Sequence, residues 1–125
     1  MKKSKAILIV EDEKPLLNAL NAKLSNEGFS TLLAENGKIG LDMAFKDQPD
    51  LILLDIIMPV LDGMDMLKRL RKDEWGKKVP VLLLTNVYEI DKMSEAMKLG
   101  ISGYLVKADW KLEEVVTKIG QILKM

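Results

Sequence analysis

The stretch Leu51-Ile52-Leu53-Leu54-Asp55 joins four consecutive apolar residues to an acidic one. An apolar run without polar alternation is typical of a strand whose two faces are both covered by helices. Ala6–Val10 and residues 79–84 are similar runs, and Ser30–Ala34 and Gly103–Val106 are weaker strand candidates. The sequence therefore predicts five short strands, with the first, third and fourth buried on both faces.

Helical patterns follow each predicted strand. Pro15 suits a first helical turn, Gly28 can end that helix, and Asn36 can cap the next one. Five groups of apolar residues recur at helical spacing and are assigned to the core: Leu16, Leu17, Leu20 and Leu24; Leu41, Ala44 and Phe45; Leu67 and Leu70; Ile90, Met93 and Met97; Leu112, Val115, Val116, Ile119, Ile122 and Leu123. This alternation predicts one parallel sheet with right-handed crossovers and helices on both faces.

The composition excludes several classes of site. The 125 residues include no cysteine and no histidine, so a disulfide framework, a Cys/His zinc site, a thiol nucleophile and a Ser-His-Asp triad are ruled out. With 19 basic and 19 acidic residues the net charge is zero, which argues against non-specific binding to nucleic acid. The apolar segment after Lys5 is too short for a signal peptide or a membrane span. We expect a single domain over residues 1–125.

Polar residues follow four of the predicted strands. Glu11-Asp12-Glu13 follows the first, Asp55 the third, Thr85 the fourth and Lys107 the fifth. In parallel α/β sheets, ligands bind beyond the carboxyl ends of the strands, which lie at one edge of the sheet. Clustered carboxylates repel one another unless a cation joins them, and Mg²⁺ prefers oxygen ligands. We assign Glu13 to the dipole of the following helix, whereas a metal site is favoured for Asp12 and Asp55, which adjoin the ends of two different buried strands.

Asp55 is also a candidate nucleophile. An aspartate can attack phosphorus and form an aspartyl phosphate, and this transfer depends mainly on positioning and on neutralising the peripheral oxygens. Lys107 and a metal could neutralise that charge, and the Thr85 hydroxyl could donate a hydrogen bond. A dehalogenase-like phosphatase fits poorly, since it would need an aspartate where Ile57 stands. A flavin-binding protein also fits poorly, because residues 11–13 would repel a phosphate.

The segment Leu53-Leu54-Asp55-Ile56-Ile57-Met58-Pro59-Val60-Leu61-Asp62-Gly63 closely resembles the signature around the phosphorylated aspartate in receiver domains of two-component response regulators. Glu11-Asp12, Leu84-Thr85 and Lys107 accompany it in the order expected of that family, and the resemblance covers essentially the whole chain. It implies a flavodoxin-like α/β fold, a three-layer sandwich with five helices around a five-stranded parallel sheet of order 2-1-3-4-5.

The resemblance also implies how the site works. Asp55 would accept a phosphoryl group from a histidine kinase or a histidine phosphotransfer protein. Asp12, Asp55 and the backbone carbonyl of Ile57 would hold Mg²⁺, and Glu11 would bind it directly or through water. Lys107 would contact the phosphoryl group.

Two further residues would carry the switch. Thr85 would move to hydrogen-bond the phosphoryl group, and Tyr104 matches an aromatic position whose burial changes when the threonine moves. The change would alter a surface formed by the fourth helix, fifth strand and fifth helix, to which a downstream protein binds. The single receiver domain over residues 1–125 would catalyse only its own phosphoryl transfer and dephosphorylation. We expect it in the cytoplasm, as a monomer or weak dimer, without direct contact to nucleic acid or membrane.

Several positions depart from the family pattern or vary within it. Ala108 follows Lys107 where the family has a cis proline, so either a non-proline cis bond costing about 2.5–4 kcal/mol is imposed, or the bond is trans and the loop differs. Asn86 either crowds the phosphoryl pocket or contributes an amide contact. Apolar Ile57 and Val87 disfavour a positioned hydrolytic water, which predicts a long-lived phosphorylated form. Ala108 and Asn86 keep open an alternative function, a phosphorylation-independent protein-interaction module.

Overall fold

The computed structural model describes residues 4–56, 58, 60–85, 90–107 and 111–125. Strands and helices alternate along the chain in the order β1 (Ala6–Val10), α1 (Lys14–Asn26), β2 (Ser30–Ala34), α2 (Gly37–Asp47), β3 (Leu51–Asp55), α3 (Gly63–Arg71), β4 (Val81–Thr85), α4 (Ile90–Leu99), β5 (Gly103–Val106) and α5 (Leu112–Leu123). In the described part of the chain, no helix has the length and apolar character that a membrane crossing requires.

The five strands form one parallel sheet in the order β2-β1-β3-β4-β5. The predicted sheet order, three-layer arrangement and flavodoxin-like fold class are therefore confirmed. In the register, Val10 pairs with Leu54, and Asp55 pairs with Leu84. The carboxyl ends of β1, β3 and β4 consequently lie at one edge of the sheet, and the strand order reverses between β1 and β3.

Both faces of the sheet are covered by helices, which explains the uninterrupted apolar runs. Along β3, Ile52 and Leu54 belong to the core that the sheet forms with α2 and α3. Leu51 and Leu53 alternate with them and pack into the second core, which the sheet forms with α1 and α5. All five residues of β3 are buried, as expected for a central strand between two helical layers.

The predicted helix boundaries have identifiable causes. Pro15 occupies the first turn of α1, where its missing N–H costs no hydrogen bond. The Asn36 side chain accepts a hydrogen bond from the Ile39 amide at 2.9 Å and so caps α2. β4 begins at Val81 instead of two residues earlier, because Pro80 has no N–H to offer a neighbouring strand.

Two residues that the helical spacing assigned to the core are exposed. Phe45 is 39% exposed and Met97 is 57% exposed. In each helix the preceding alanine, Ala44 or Ala96, is fully buried against the core. One further residue turns the side chain by about 100° around the helix axis, which carries Phe45 and Met97 away from the sheet.

Candidate functional site

Four strand ends bring the predicted site residues to the carboxyl edge of the sheet. Glu11 follows β1, and its amide donates to the Ala34 carbonyl of β2 at 3.0 Å. Asp55 is the last residue of β3. Thr85 ends β4, and its carbonyl accepts a hydrogen bond from the Lys107 amide at 2.7 Å, which ties the end of β5 to the end of β4.

The side chains of Asp55, Glu11 and Lys107 form one ion-pair cluster. The Lys107 Nζ lies 3.0 Å from Asp55 Oδ2 and 3.1 Å from Glu11 Oε1. Glu11 and Asp55 are buried, and the Lys107 side chain is 16% exposed. A partly buried ammonium thus bridges two buried carboxylates from the ends of different strands, an arrangement that offsets part of their mutual repulsion.

Burial and charge shift the proton equilibria of this cluster. Burial, followed by the negative charge of Glu11, raises the pKa of Asp55 from its ordinary 3.8 to about 7, although Lys107 acts in the opposite direction. Burial alone would lower the pKa of Lys107, but its hydrogen bond to Asp55 and the charges of Asp55 and Glu11 raise it above 10.5. Burial therefore dominates the shift of Asp55, whereas the two neighbouring carboxylates together dominate that of Lys107, and both changes favour the protonated form of the group.

The cluster also offers the oxygen ligands of a hard cation. Carboxylate oxygens of Glu11, Asp12 and Asp55 lie within 4.8 Å of one another. Glu11 Oε2 accepts a hydrogen bond from the Glu13 amide at 3.1 Å, which fixes the carboxylate. Glu11 Oε1 is buried and, among the described residues, has no hydrogen bond of good geometry, although the Lys107 ammonium lies 3.1 Å away. An incompletely satisfied carboxylate beside two others fits Mg²⁺.

Gly63 fixes the backbone of Asp55 from the other side. The Gly63 amide donates to the Ile56 carbonyl at 2.6 Å. A Cβ atom at position 63 would lie only 2.2 Å from the Asp55 carbonyl oxygen. Asp62 caps the same helix by accepting from the Asp65 amide at 2.9 Å. The start of α3 therefore packs directly on the peptide that carries the candidate phosphoacceptor.

The structure places the remaining predicted residues in different ways. Thr85 is buried at the end of β4, one position beyond the residue that pairs with Asp55. Tyr104 lies on β5, is 44% exposed, and stands three positions before Lys107, outside the carboxylate cluster. The expected Ile57 carbonyl ligand falls outside the described residues, and so do Asn86, Val87 and Ala108.

Two features of the site were not predicted from the sequence. One is the direct contact between Glu11 and Lys107, which depends on how two side chains from different strands reach each other. The other is the close approach of Gly63 to Asp55. An Asp-Gly pair between a strand and a helical pattern was the available signal, because only glycine permits backbone contact at this distance.

Comparison with known proteins gives a consistent result. Residues 7–120 match a family described as the response regulator receiver domain. YkoG of Bacillus subtilis, named as an uncharacterized transcriptional regulatory protein, is 36% identical over 118 residues, which cover 94% of this chain and 50% of that protein. The chain thus spans about half the length of the curated relatives it matches.

Solved structures share the fold over nearly their whole length. The chemotaxis protein CheY4 of Vibrio cholerae has a TM-score of 0.88 and 27% identity, covering 96% of this chain and 99% of that one. The receiver domain of the sensor histidine kinase PA1611 from Pseudomonas aeruginosa has the same TM-score and identity, covering 98% and 100%. That structure holds a magnesium ion coordinated in its active site cleft.

Proposed function

This chain belongs to the response regulator receiver domain family, and we propose that it is a phosphorylation-dependent signalling switch whose phosphoacceptor is Asp55. The observation that carries the proposal is the position of Asp55. Its carboxylate is buried at the carboxyl end of a central strand, 3.0 Å from the Lys107 ammonium and grouped with the carboxylates of Glu11 and Asp12. A single carboxylate beside a cation and further acidic ligands suits phosphoryl transfer to aspartate.

The proposed reaction needs no histidine in this chain. A carboxylate oxygen of Asp55 attacks the phosphorus of a phosphohistidine on a kinase or phosphotransfer protein, so that an O–P bond forms while the P–N bond breaks. The imidazole nitrogen of the donor keeps the bonding electron pair and takes a proton from the solvent. Lys107 lies where its ammonium can neutralise charge on the transferred group.

Glu11, Asp12 and Asp55 would hold Mg²⁺, together with the carbonyl of Ile57 that the family resemblance implies. When bound, the ion would neutralise the carboxylates and so favour the ionised, nucleophilic form of Asp55. Glu11 is prepared for this role, because the Glu13 amide already fixes one of its two oxygens and leaves the other directed to the cluster.

The signal would leave the site through β4 and β5. Thr85 would hydrogen-bond the phosphoryl group, and its backbone link to Lys107 joins the two strand ends that respond. Tyr104 and Met97 are exposed apolar side chains on β5 and α4, and they support the proposal that α4, β5 and α5 form the surface for a downstream protein.

Other properties of the protein follow as proposals. We propose that residues 1–125 act as a single receiver domain that catalyses only its own phosphoryl transfer and dephosphorylation, in the cytoplasm, as a monomer or weak dimer. Direct binding of nucleic acid by these residues is not expected, since their net charge is zero. The name of YkoG refers to transcription, and about half of that protein lies outside the matched region.

Intact-mass spectrometry tests the proposal. The protein is incubated with Mg²⁺ and acetyl phosphate, and a gain of one phosphoryl group is expected in the wild type. Asp55→Ala should lose the gain, whereas Asp47→Ala, at the exposed end of α2, should keep it. A gain that persists in Asp55→Ala would contradict the assignment. No gain in the wild type would instead favour the phosphorylation-independent interaction module.

A further inference from the structure

Arg71, the last residue of α3, makes a set of contacts that the proposed reaction does not use. Its Nε donates to the carbonyls of Leu99 and Gly100, both at 3.2 Å, and its Nη2 donates to Gly100 at 2.7 Å. Its Nη1 donates to the carbonyls of Gly76 at 2.5 Å and Val79 at 2.9 Å. One guanidinium thus joins the end of α3, the segment before β4 and the end of α4.

All of these acceptors are backbone carbonyls. None of the ion pairs between described residues includes Arg71. Leu99 and Gly100 lie at the C-terminal end of α4, where unsatisfied carbonyls carry a partial negative charge. A guanidinium holds five N–H donors in a rigid planar fork and can satisfy several such carbonyls at once, whereas an ammonium offers three donors on a flexible stem without this fixed geometry.

The contact is located far from the phosphoacceptor edge. Val79 precedes β4 at the amino end of that strand, whereas Thr85 lies at its carboxyl end. A second link between α3 and α4, the ion pair of Lys68 and Glu95 at 2.7 Å, involves side chains that are roughly half exposed. Exposed ion pairs of this kind contribute little, so Arg71 is the stronger of the two links.

We propose that Arg71 is a positioning residue that fixes the C-terminal end of α4, so that α4 pivots about Gly100 when the switch operates. α4 begins after the segment that follows Thr85, so a movement at the site reaches its N-terminal end first. Gly100 has a φ of +91°, a left-handed conformation that suits a pivot directly after the helix. The inference rests on the proposed function, in which α4 belongs to the surface that changes.

Hydrogen exchange measured by mass spectrometry on the full chain tests the anchor without any phosphorylation. Arg71→Lys preserves charge but loses the planar fork, and Arg69→Lys, at an exposed position of the same helix, is the matched control. In Arg71→Lys we expect the amides of Gly100 and Ser102 to exchange at least about tenfold faster, which corresponds to about 1.4 kcal/mol. Amides within α5 should change by less than about twofold in both variants. An unchanged rate at Gly100 and Ser102 would overturn the anchor.

The pivot is tested by adding Mg²⁺ and beryllium fluoride, an analogue of a phosphoryl group, to the wild type and to Arg71→Lys. In the wild type, exchange should change in the N-terminal half of α4 and stay within about twofold at residues 99–102, whereas both ends should change in Arg71→Lys. Equal changes at both ends of wild-type α4 would overturn the pivot. If the analogue has no effect, and Asp55→Ala behaves like the wild type, the proposed function fails while the anchor is still judged by the first measurement.

Discussion

Gly63→Ala tests how the backbone holds Asp55 in place. A Cβ atom at position 63 would lie 2.2 Å from the Asp55 carbonyl oxygen and 2.7 Å from Ile56 Cα. Non-bonded carbon atoms pack at about 3.5–4.0 Å, so the substitution would push the two backbone segments apart by about 1 Å. The atoms that must yield are main-chain atoms of Asp55, the last residue of a buried strand, and of Ile56, and no flexible side chain can absorb the displacement.

The expected cost follows from this geometry. Overpacking a well-packed core typically costs about 1–3 kcal/mol, and we expect Gly63→Ala to lower the free energy of unfolding by about 3 kcal/mol. The displacement falls on the peptide of Asp55 itself. A misplacement of about 1 Å at a reacting group can slow a reaction by about 100-fold, so phosphorylation should slow by a similar factor.

Urea unfolding and the rate of phosphorylation by acetyl phosphate measure the two effects. Gly120→Ala is the matched control, because Gly120 lies inside α5 with nothing within 4 Å of an added Cβ. That change should raise stability by about 0.5–1 kcal/mol and leave the phosphorylation rate unchanged. Wild-type stability in Gly63→Ala would refute the predicted contact. Lower stability with an unchanged rate would refute the link between Gly63 and the placement of Asp55.

Three further predictions concern charge and lifetime. Without divalent cations, Asp55 keeps a proton in the folded protein between pH 3.8 and about 7, whereas in the unfolded chain it releases that proton. The free energy of unfolding should therefore fall as the pH rises through this window, by at most about 4 kcal/mol. Urea unfolding at a series of pH values measures this trend, and Asp55→Asn should remove it. At pH 8, Lys107→Met should lower the free energy of unfolding by about 2–4 kcal/mol, because it leaves buried carboxylates without their ammonium. Lys111 is exposed, and Lys111→Met should change the free energy of unfolding by less than about 0.5 kcal/mol. Ile57→Asn combined with Val87→Glu should speed loss of the phosphoryl group, because polar side chains at these positions can position water. Mass spectrometry measures the rate of that loss.

Each of these has a result that would contradict it. An Asp55→Asn variant whose stability varies with pH as the wild type does would show that Asp55 is not the group that retains the proton. Equal effects of Lys107→Met and Lys111→Met would show that the buried ion pairs contribute no more than a surface charge. Slower or unchanged dephosphorylation in the double variant would remove the argument from apolar neighbours.

The fold was predictable because its signals are local and repeated. An uninterrupted apolar run such as Leu51–Leu54 indicates a strand covered on both faces, and the structure divides these residues between two cores. Asn36 and Pro15 marked helix starts through side-chain chemistry that acts within one turn. Phe45 and Met97 were assigned wrongly, because apolar spacing alone does not say which of two adjacent residues faces the sheet.

The grouping of the candidate residues at one sheet edge was predictable from the sequence, and the contacts between their side chains were less so. Parallel strands place Glu11, Asp55 and Lys107 at one edge, and this follows from topology alone. The bridging position of the Lys107 ammonium depends on side-chain conformations that no sequence pattern specifies. Arg71 illustrates the same limit, since its partners are backbone carbonyls of two other segments of the chain, and a backbone carbonyl carries no residue-type signal.

The central claim, that Asp55 receives the phosphoryl group, is tested most directly by locating the modification in the chain. After phosphorylation with Mg²⁺ and acetyl phosphate, borohydride reduces an aspartyl phosphate to homoserine, and peptide mass spectrometry identifies the converted residue. We predict homoserine at position 55 and unmodified acids at positions 11 and 12. Homoserine at position 12 or at another aspartate, with Asp55 intact, would contradict the account.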